Sequence, residues 1–292
     1  MPSPRSAVAA LGLLLLAGCS QHGPQARANG PLRIVATTTT LASIARGAAG
    51  QKADVRSLVP VGVSPEDFQP APDAIEALRN ADVLVENGAG LEGWLEATIR
   101  NAGNPRLRIV VCAAGLPVVG GNPHLWMDPV FARAYAGKIR DALIAADGAH
   151  AVAYRAAAAA YDTALVALES RTRAKIKTIP PARRTMIVFH NAFDYYAKRF
   201  GLKVVGAIEP IAGAEPNPAH VADLVRLARA ERVPAVFAEH EYSDKLARAL
   251  AQSAGGLKVA FLYDDSLGTD PATSTYVGMI DTDTDTIVAA LR

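Results

Sequence analysis

Two kinds of hydrophobic pattern alternate along this chain. Short runs rich in β-branched residues read as strands: Leu32 to Thr37, Val55 to Val59, Val83 to Glu86 and Leu107 to Cys112, then Thr185 to Phe189, Lys203 to Ala207, Ala235 to Ala238 and Lys258 to Leu262. Between them apolar positions recur at helical spacing, as in Leu41 to Gly47, Asp73 to Arg79, Leu91 to Arg100, Pro218 to Ala230 and Ser243 to Ser253. Pro218 near a helix start and Gly255 near a helix stop suit the chemistry of helix ends. Strands alternating with helices predict an α/β fold with parallel sheets flanked by helices.

The middle breaks the pattern. Ala149 to Lys177 is rich in Ala, Leu, Arg and Lys and has no Gly or Pro, with apolar residues at Tyr154, Tyr161, Leu165, Leu168 and Ile176. One helix of about 27 residues would be roughly 40 Å long. It reads as a rigid rod joining two lobes; two shorter helices with a break are the alternative. The expected organisation is a segment to be removed at 1–18, a flexible tether at 19–30, an N-terminal α/β lobe at 31–148, the linking helix at 149–178 and a C-terminal α/β lobe at 179–292.

The amino terminus points to a compartment. Arg5 precedes an apolar run from Ala7 to Leu16, too short for a transmembrane helix, which ends in Leu16-Ala17-Gly18-Cys19. Small residues before a Cys at this place resemble a bacterial lipoprotein signal. Cleavage before Cys19 and lipidation of Cys19 would anchor the chain to a membrane, on its periplasmic or outer side. Gln21 to Gly30 then suits a tether. An ordinary secretory signal with an incidental Cys is the competing reading.

Composition removes other classes. The 30 basic residues nearly balance the 28 acidic ones and form no block, which argues against nucleic-acid binding. Two cysteines make neither a disulfide framework nor a thiolate zinc site, and Cys112 reads as a small core residue. A monomer is expected.

Candidate ligands follow the strands. Val55 to Val59 runs into a loop carrying Glu66, Leu107 to Cys112 leads through a Gly-rich loop to His124, Thr185 to Phe189 runs into His190, and Lys258 to Leu262 is followed by Asp264 and Asp265. Parallel sheets place ligand sites beyond the carboxyl ends of their strands. Two facing lobes would bring Glu66, His124, His190 and Asp265 into one cleft, two from each lobe. Imidazole with carboxylate suits zinc, manganese or ferrous iron. A lone His usually has another role, and His22, His150 and His220 are assigned none here. His240 also follows a strand, in Glu239-His240-Glu241.

Several ordered motifs then carry a resemblance: Val35-Ala36-Thr37-Thr38-Thr39, Ser57-Leu58-Val59-Pro60-Val61-Gly62, Asn87-Gly88-Ala89-Gly90-Leu91-Glu92-Gly93-Trp94-Leu95, Asn122-Pro123-His124-Leu125-Trp126-Met127-Asp128-Pro129, His190-Asn191-Ala192-Phe193-Asp194-Tyr195-Tyr196, Ala214-Glu215-Pro216-Asn217-Pro218, Tyr242-Ser243-Asp244-Lys245-Leu246-Ala247 and Asp265-Ser266-Leu267-Gly268. Over about residues 31 to 292 the chain resembles the periplasmic metal-binding proteins of zinc and manganese ABC importers, the cluster A-I solute-binding proteins. The resemblance implies two α/β lobes joined by one long helix, a metal ion buried between them as transported ligand, no catalysis, and a membrane permease as partner.

One departure bears on the metal. Where the family usually has Gly-x-x-Pro-His, this chain has Gly62-Val63-Ser64-Pro65-Glu66. The matched set becomes Glu66, His124, His190 and Asp265, with Asp67 as a second carboxylate beside Glu66. The His- and acid-rich loop of many zinc-specific members is also missing before His124. Two carboxylates with two imidazoles suit Mn²⁺ or Fe²⁺ at higher coordination and Zn²⁺ near tetrahedral. Two other functions compete: a metal-dependent hydrolase with Glu66 as general base, and a surface adhesin.

Overall fold

The computed structural model describes residues 30–209 and 217–292. The segment ending at Cys19, most of the tether, His22 and the Ala214–Pro216 part of one motif lie outside the described residues.

Among the described residues, eight strands form two separate four-stranded sheets. The first contains β1 (Leu32–Ala36), β2 (Ala53–Ser57), β3 (Val83–Glu86) and β4 (Arg108–Val111) in the order β2-β1-β3-β4. The second contains β5 (Thr185–His190), β6 (Lys203–Glu209), β7 (Ala235–Glu239) and β8 (Lys258–Leu262) in the order β6-β5-β7-β8. Every pairing is parallel. Covering helices explain the composition of the inner strands: β7 is buried at every residue and β5 at all but its first, so neither needs a polar face.

The two sheets share one connectivity. In each, the chain leaves the first strand to one side for the second, then returns to the other side for the third. The point of reversal therefore lies between β1 and β3 in one sheet and between β5 and β7 in the other. Such a reversal leaves a crevice beyond the strand ends, which is where doubly wound sheets bind their ligands.

Nine helices are present among the described residues: α1 (Thr39–Ala49), α2 (Pro72–Asn80), α3 (Leu95–Ala102), α4 (Pro129–Ala146), α5 (Ala151–Lys177), α6 (Asp194–Phe200), α7 (Pro218–Ala230), α8 (Lys245–Ser253) and α9 (Tyr276–Leu291). None is long and apolar enough to cross a membrane. Side-chain oxygens cap several starts: Thr38 accepts from Leu41 N at 3.1 Å, and Asp128 accepts from Val130 N at 2.9 Å.

Helix α5 is unbroken, so the two-helix alternative falls away. It packs on α1 and α4 at one end and on α9 at the other. Tyr154, Leu165, Leu168 and Ile176 lie fully buried along one side. One apolar cluster runs past it through both lobes, from Ile34 and Ile44 to Phe237 and Ile287. Gly47 on α1 permits the closest approach, because a Cβ there would meet the Tyr161 ring at 2.6 Å. At the far end Arg171 donates to both oxygens of Asp281 on α9, at 2.8 and 2.9 Å from Nε.

Polar bonds also tie the lobes directly. Trp126 Nε1 donates to Asp264 O (3.0 Å), Leu267 N to Thr39 Oγ1 (2.9 Å), Tyr276 N to Ser43 Oγ (2.9 Å) and Gly62 N to Ser266 Oγ (2.8 Å). Arg199 Nε reaches both oxygens of Asp128, at 2.9 and 2.8 Å. Cys112 is free and fully buried in the shared core.

Two elements differ instructively from the sequence pattern. Helix α3 begins at Leu95 rather than Leu91. Gly88, Ala89 and Gly90 all have positive φ, and the turn they make lets Glu92 fold back to accept from Asn87 N (2.7 Å), Gly88 N (3.0 Å) and Thr37 Oγ1 (2.7 Å). Helix α9 contains the run Asp281-Thr282-Asp283-Thr284-Asp285-Thr286, poor in local helix preference. Tertiary partners sustain it: Asp281 pairs with Arg171, Asp285 with Lys175, and Asp283 accepts from Tyr263 N at 3.0 Å.

Candidate metal centre

The four candidate residues converge where the two sets of strand ends meet. Glu66 lies in the irregular segment after β2. His124 precedes a short helical turn, Leu125–Met127, that leads into α4. His190 is the last residue of β5, and Asp265 follows β8. The Nε2 atoms of His124 and His190 are 3.1 Å apart. His124 Nε2 lies 3.5 Å from Glu66 Oε1 and 3.4 Å from Asp265 Oδ1. Side-chain exposure is 3% or less for His124, His190 and Asp265 and 22% for Glu66.

Neighbouring carboxylates separate cleanly. Asp67, next to Glu66, is exposed. Asp264, next to Asp265, is fully buried rather than solvated; its Oδ1 accepts from Asp265 N at 2.7 Å. Its Oδ2 lies 3.5 Å from His190 Nδ1, on the opposite side of the ring from Nε2. Asp265 thus faces His124 Nε2 while Asp264 stands behind His190.

The ring orientations have visible causes. His124 Nδ1 lies 2.8 Å from Asn122 Oδ1, which also accepts from His124 N at 3.0 Å. Asn122 Nδ2 in turn donates to Asn191 O at 2.7 Å. His190 Nδ1 lies 2.7 Å from Glu239 Oε2, and Glu239 Oε1 accepts from His190 N at 3.1 Å. Ser64 Oγ donates to Asp265 Oδ2 at 3.3 Å, and Trp94 Nε1 donates to Pro65 O at 2.8 Å, holding the Glu66 segment.

Charge at the centre is strongly frustrated. Burial and the nearby Asp265 raise the Glu66 carboxyl above its ordinary range. Burial also works to raise Asp265, but hydrogen bonding and charge from His124, with His190 and Ser64, hold it below. For His190 burial works downward, yet the charge and hydrogen bond of Glu239 push it up to about 10. Glu241 is pushed up to about 8 by burial and by Asp265 and Glu239.

A cation fits this arrangement. Asp265 Oδ1 is buried with no well-formed hydrogen bond, its nearest donor candidate being His124 Nε2 at 3.4 Å, a costly state for a carboxylate oxygen. Ligand atoms about 2.1 Å from a tetrahedral metal are separated by about 3.4 Å. The distances from His124 Nε2 match that spacing. Glu66, His124 and His190 form a set whose ligand atoms all lie within 4.8 Å of one another.

The other described histidines keep to other duties. His150 pairs with Asp147 at 2.7 Å ahead of α5, and His220 Nε2 bonds Ala207 O at 2.8 Å. His240 is exposed and stacks on Tyr263, with ring centres 4.0 Å apart. Asn122 and Glu239, which orient the two rings, are not ligand candidates by strand-end position and residue type alone. Glu239 does carry a sequence signal, as the last residue of β7, the strand beside β5.

Comparison with known proteins shows the family. A family model described as zinc-uptake complex component A, periplasmic, matches residues 34–290. The chain belongs to this family. Its members are substrate-binding proteins of metal transport rather than enzymes. The iron-binding protein YfeA of Yersinia pestis is 32% identical over 96% of this chain and 92% of its own. The manganese-binding lipoprotein MntA of Halalkalibacterium halodurans is 29% identical, with 95% of each chain covered. The solved structure of the periplasmic zinc-binding protein TroA from Treponema pallidum superposes with a TM-score of 0.82 at 25% identity, covering 90% of this chain and 99% of that one. Membership carries the two-sheet fold with its long connecting helix and the role of substrate-binding component of an ABC metal transporter.

Proposed function

We propose that Glu66, His124, His190 and Asp265 together bind one divalent transition metal ion, which this protein captures outside the cytoplasm and delivers to a membrane permease. The observation that carries the reading is the approach of two imidazole Nε2 atoms to 3.1 Å, with carboxylate oxygens of Glu66 and Asp265 at 3.5 and 3.4 Å from His124 Nε2. Two like acceptors brought so close need a cation, or a proton, between them.

The donor set accommodates Zn²⁺, Mn²⁺ and Fe²⁺. Relatives carry names for all three metals. Glu66 adds a hard oxygen donor and a negative charge, which favours Mn²⁺ and Fe²⁺ relative to a His in its place. Zn²⁺ still binds such sites more tightly than Mn²⁺ in the general order of affinities. Cargo that must be released requires no open coordination position for water, unlike a catalytic site.

Cys19 would hold the protein at the membrane beside its permease, and the protein would act as a monomer. Fatty-acid labelling of the wild type, absent in Cys19→Ala, tests the anchor. Metal content of protein purified from its native envelope, with competition titration between Zn²⁺ and Mn²⁺, tests the function. Protein that binds neither ion would defeat the reading.

A further inference from the structure

The two central histidines are oriented in the same way by residues of different charge. Asn122 presents one amide oxygen to both the backbone N–H and the ring Nδ1 of His124. Glu239 presents two carboxylate oxygens to the same two groups of His190. The donor of Asn122 Nδ2 to Asn191 O fixes which way that amide faces. One ring is therefore held by a neutral dipole and the other by an ionisable acid.

We propose that Glu239 is a positioning residue for metal capture: it fixes His190 as the tautomer that offers Nε2, and its negative charge makes that nitrogen the stronger of the two imidazole donors. The inference rests on the ligand assignment above.

Geometry supports both halves. Glu239 ends β7 and His190 ends β5, at the point where the strand order of the second sheet reverses. Their exposures are 1% and 2%, so water does not compete for the 2.7 Å bond. Both oxygens of Glu239 are engaged with His190, which fixes the carboxylate against rotation. Asp264 Oδ2, at 3.5 Å, closes the same edge of the ring. Nδ1 consequently faces two buried carboxyl groups, and Nε2 alone faces His124.

A carboxylate accepting from Nδ1–H draws the proton towards itself and leaves more electron density on the ring. Nε2 then donates more strongly to a metal. Loss of such a carboxylate typically lowers metal affinity 10- to 100-fold. A stronger nitrogen donor helps Zn²⁺ more than Mn²⁺, so Glu239 pulls selectivity in the direction opposite to Glu66.

Chelator-competition titrations with Zn²⁺ and Mn²⁺ on the full mature chain test this in wild type, Glu239→Gln and Glu239→Asp. Glu239→Gln is expected to lose about 10- to 100-fold in Zn²⁺ affinity. Its loss for Mn²⁺ should be smaller, and Glu239→Asp should retain more Zn²⁺ affinity than Glu239→Gln. Zn²⁺ affinity of Glu239→Gln within twofold of wild type, or equal losses in the two variants, would overturn the role of charge. Nitrogen-15 spectra of wild type loaded with ¹¹³Cd²⁺ need no variant. Coupling to Nε2 of His190, with a strongly deshielded Nδ1 proton, is expected. Coupling to Nδ1 overturns the proposal. Coupling to neither nitrogen would instead remove His190 from the ligand set.

Discussion

His124 and His190 reach each other from different sheets, with their Nε2 atoms 3.1 Å apart and each ring held by its Nδ1 edge. Neither lobe alone contains the centre. The relationship depends on the direct bonds between lobes and on the unbroken α5, which hold the strand ends of the two sheets in register.

Glu66 is the position at which this chain departs from the family pattern, and the sole partly exposed member of the four. Glu66→Ala should weaken metal binding by about ten- to a hundredfold or more, about 1.4–3 kcal/mol. Glu66→His should keep tight Zn²⁺ binding while losing Mn²⁺ preferentially. Calorimetric titration of both variants with both metals measures this; unchanged affinities in Glu66→Ala would remove Glu66 from the site.

The two adjacent aspartates should behave differently. Burial, with the charges of Glu239 and Asp265, raises the Asp264 carboxyl well above its usual range, and Asp264 stands behind His190 at the Nδ1 edge rather than beside Nε2. Asp264→Asn leaves the four proposed ligands in place and should leave affinity within about threefold, less than about 0.7 kcal/mol. Asp265→Asn removes a charge beside the cation and should cost about tenfold or more. A greater loss in Asp264→Asn would reverse the assignment.

Acid should oppose loading. With His190 pushed up to about 10, its ring is protonated at neutral pH in the unloaded protein, and a metal must displace that proton. Affinity therefore falls as pH drops and rises with pH until about pH 10, at about tenfold per unit from this one proton. Calorimetry near pH 7 in buffers of different ionisation enthalpy should register about one proton released per ion from His190. No release would mean the ring is already neutral.

Stability has its own test in the contact between α1 and α5. Gly47→Ala would place a methyl 2.6 Å from the Tyr161 ring. Overpacking costs about 1–3 kcal/mol, partly offset by up to about 1 kcal/mol of helix preference. A net loss of about 1–2 kcal/mol should lower the melting temperature by a few degrees. An unchanged melting temperature would show that the two helices separate freely.

All eight strands and the linking helix were legible in sequence because each is a run of one period. Glu66, His124, His190 and Asp265 were legible because parallel sheets present their chemistry at strand ends. Glu239 and Asn122 were not, since what they do depends on which strand and loop lie beside them. Glu92 falls inside a helical apolar pattern although its carboxylate serves Thr37, far away in sequence. The Asp-Thr run of α9 gave little helical signal because its support comes from Arg171 and Lys175 on α5. Local pattern carries no record of such partners.

Cys112 gives the buried core a further meaning. Its sulfur lies fully enclosed, and burial raises the thiol far above its ordinary range even though Lys138 is close by. A thiol that does not ionise is a poor nucleophile and a poor ligand for soft metals. The family works outside the cytoplasm, where oxidants convert accessible thiols to disulfides. Here the sulfur is silent on both counts: it is enclosed against cross-linking one molecule to another, and it offers no thiolate to compete with the proposed imidazole ligands.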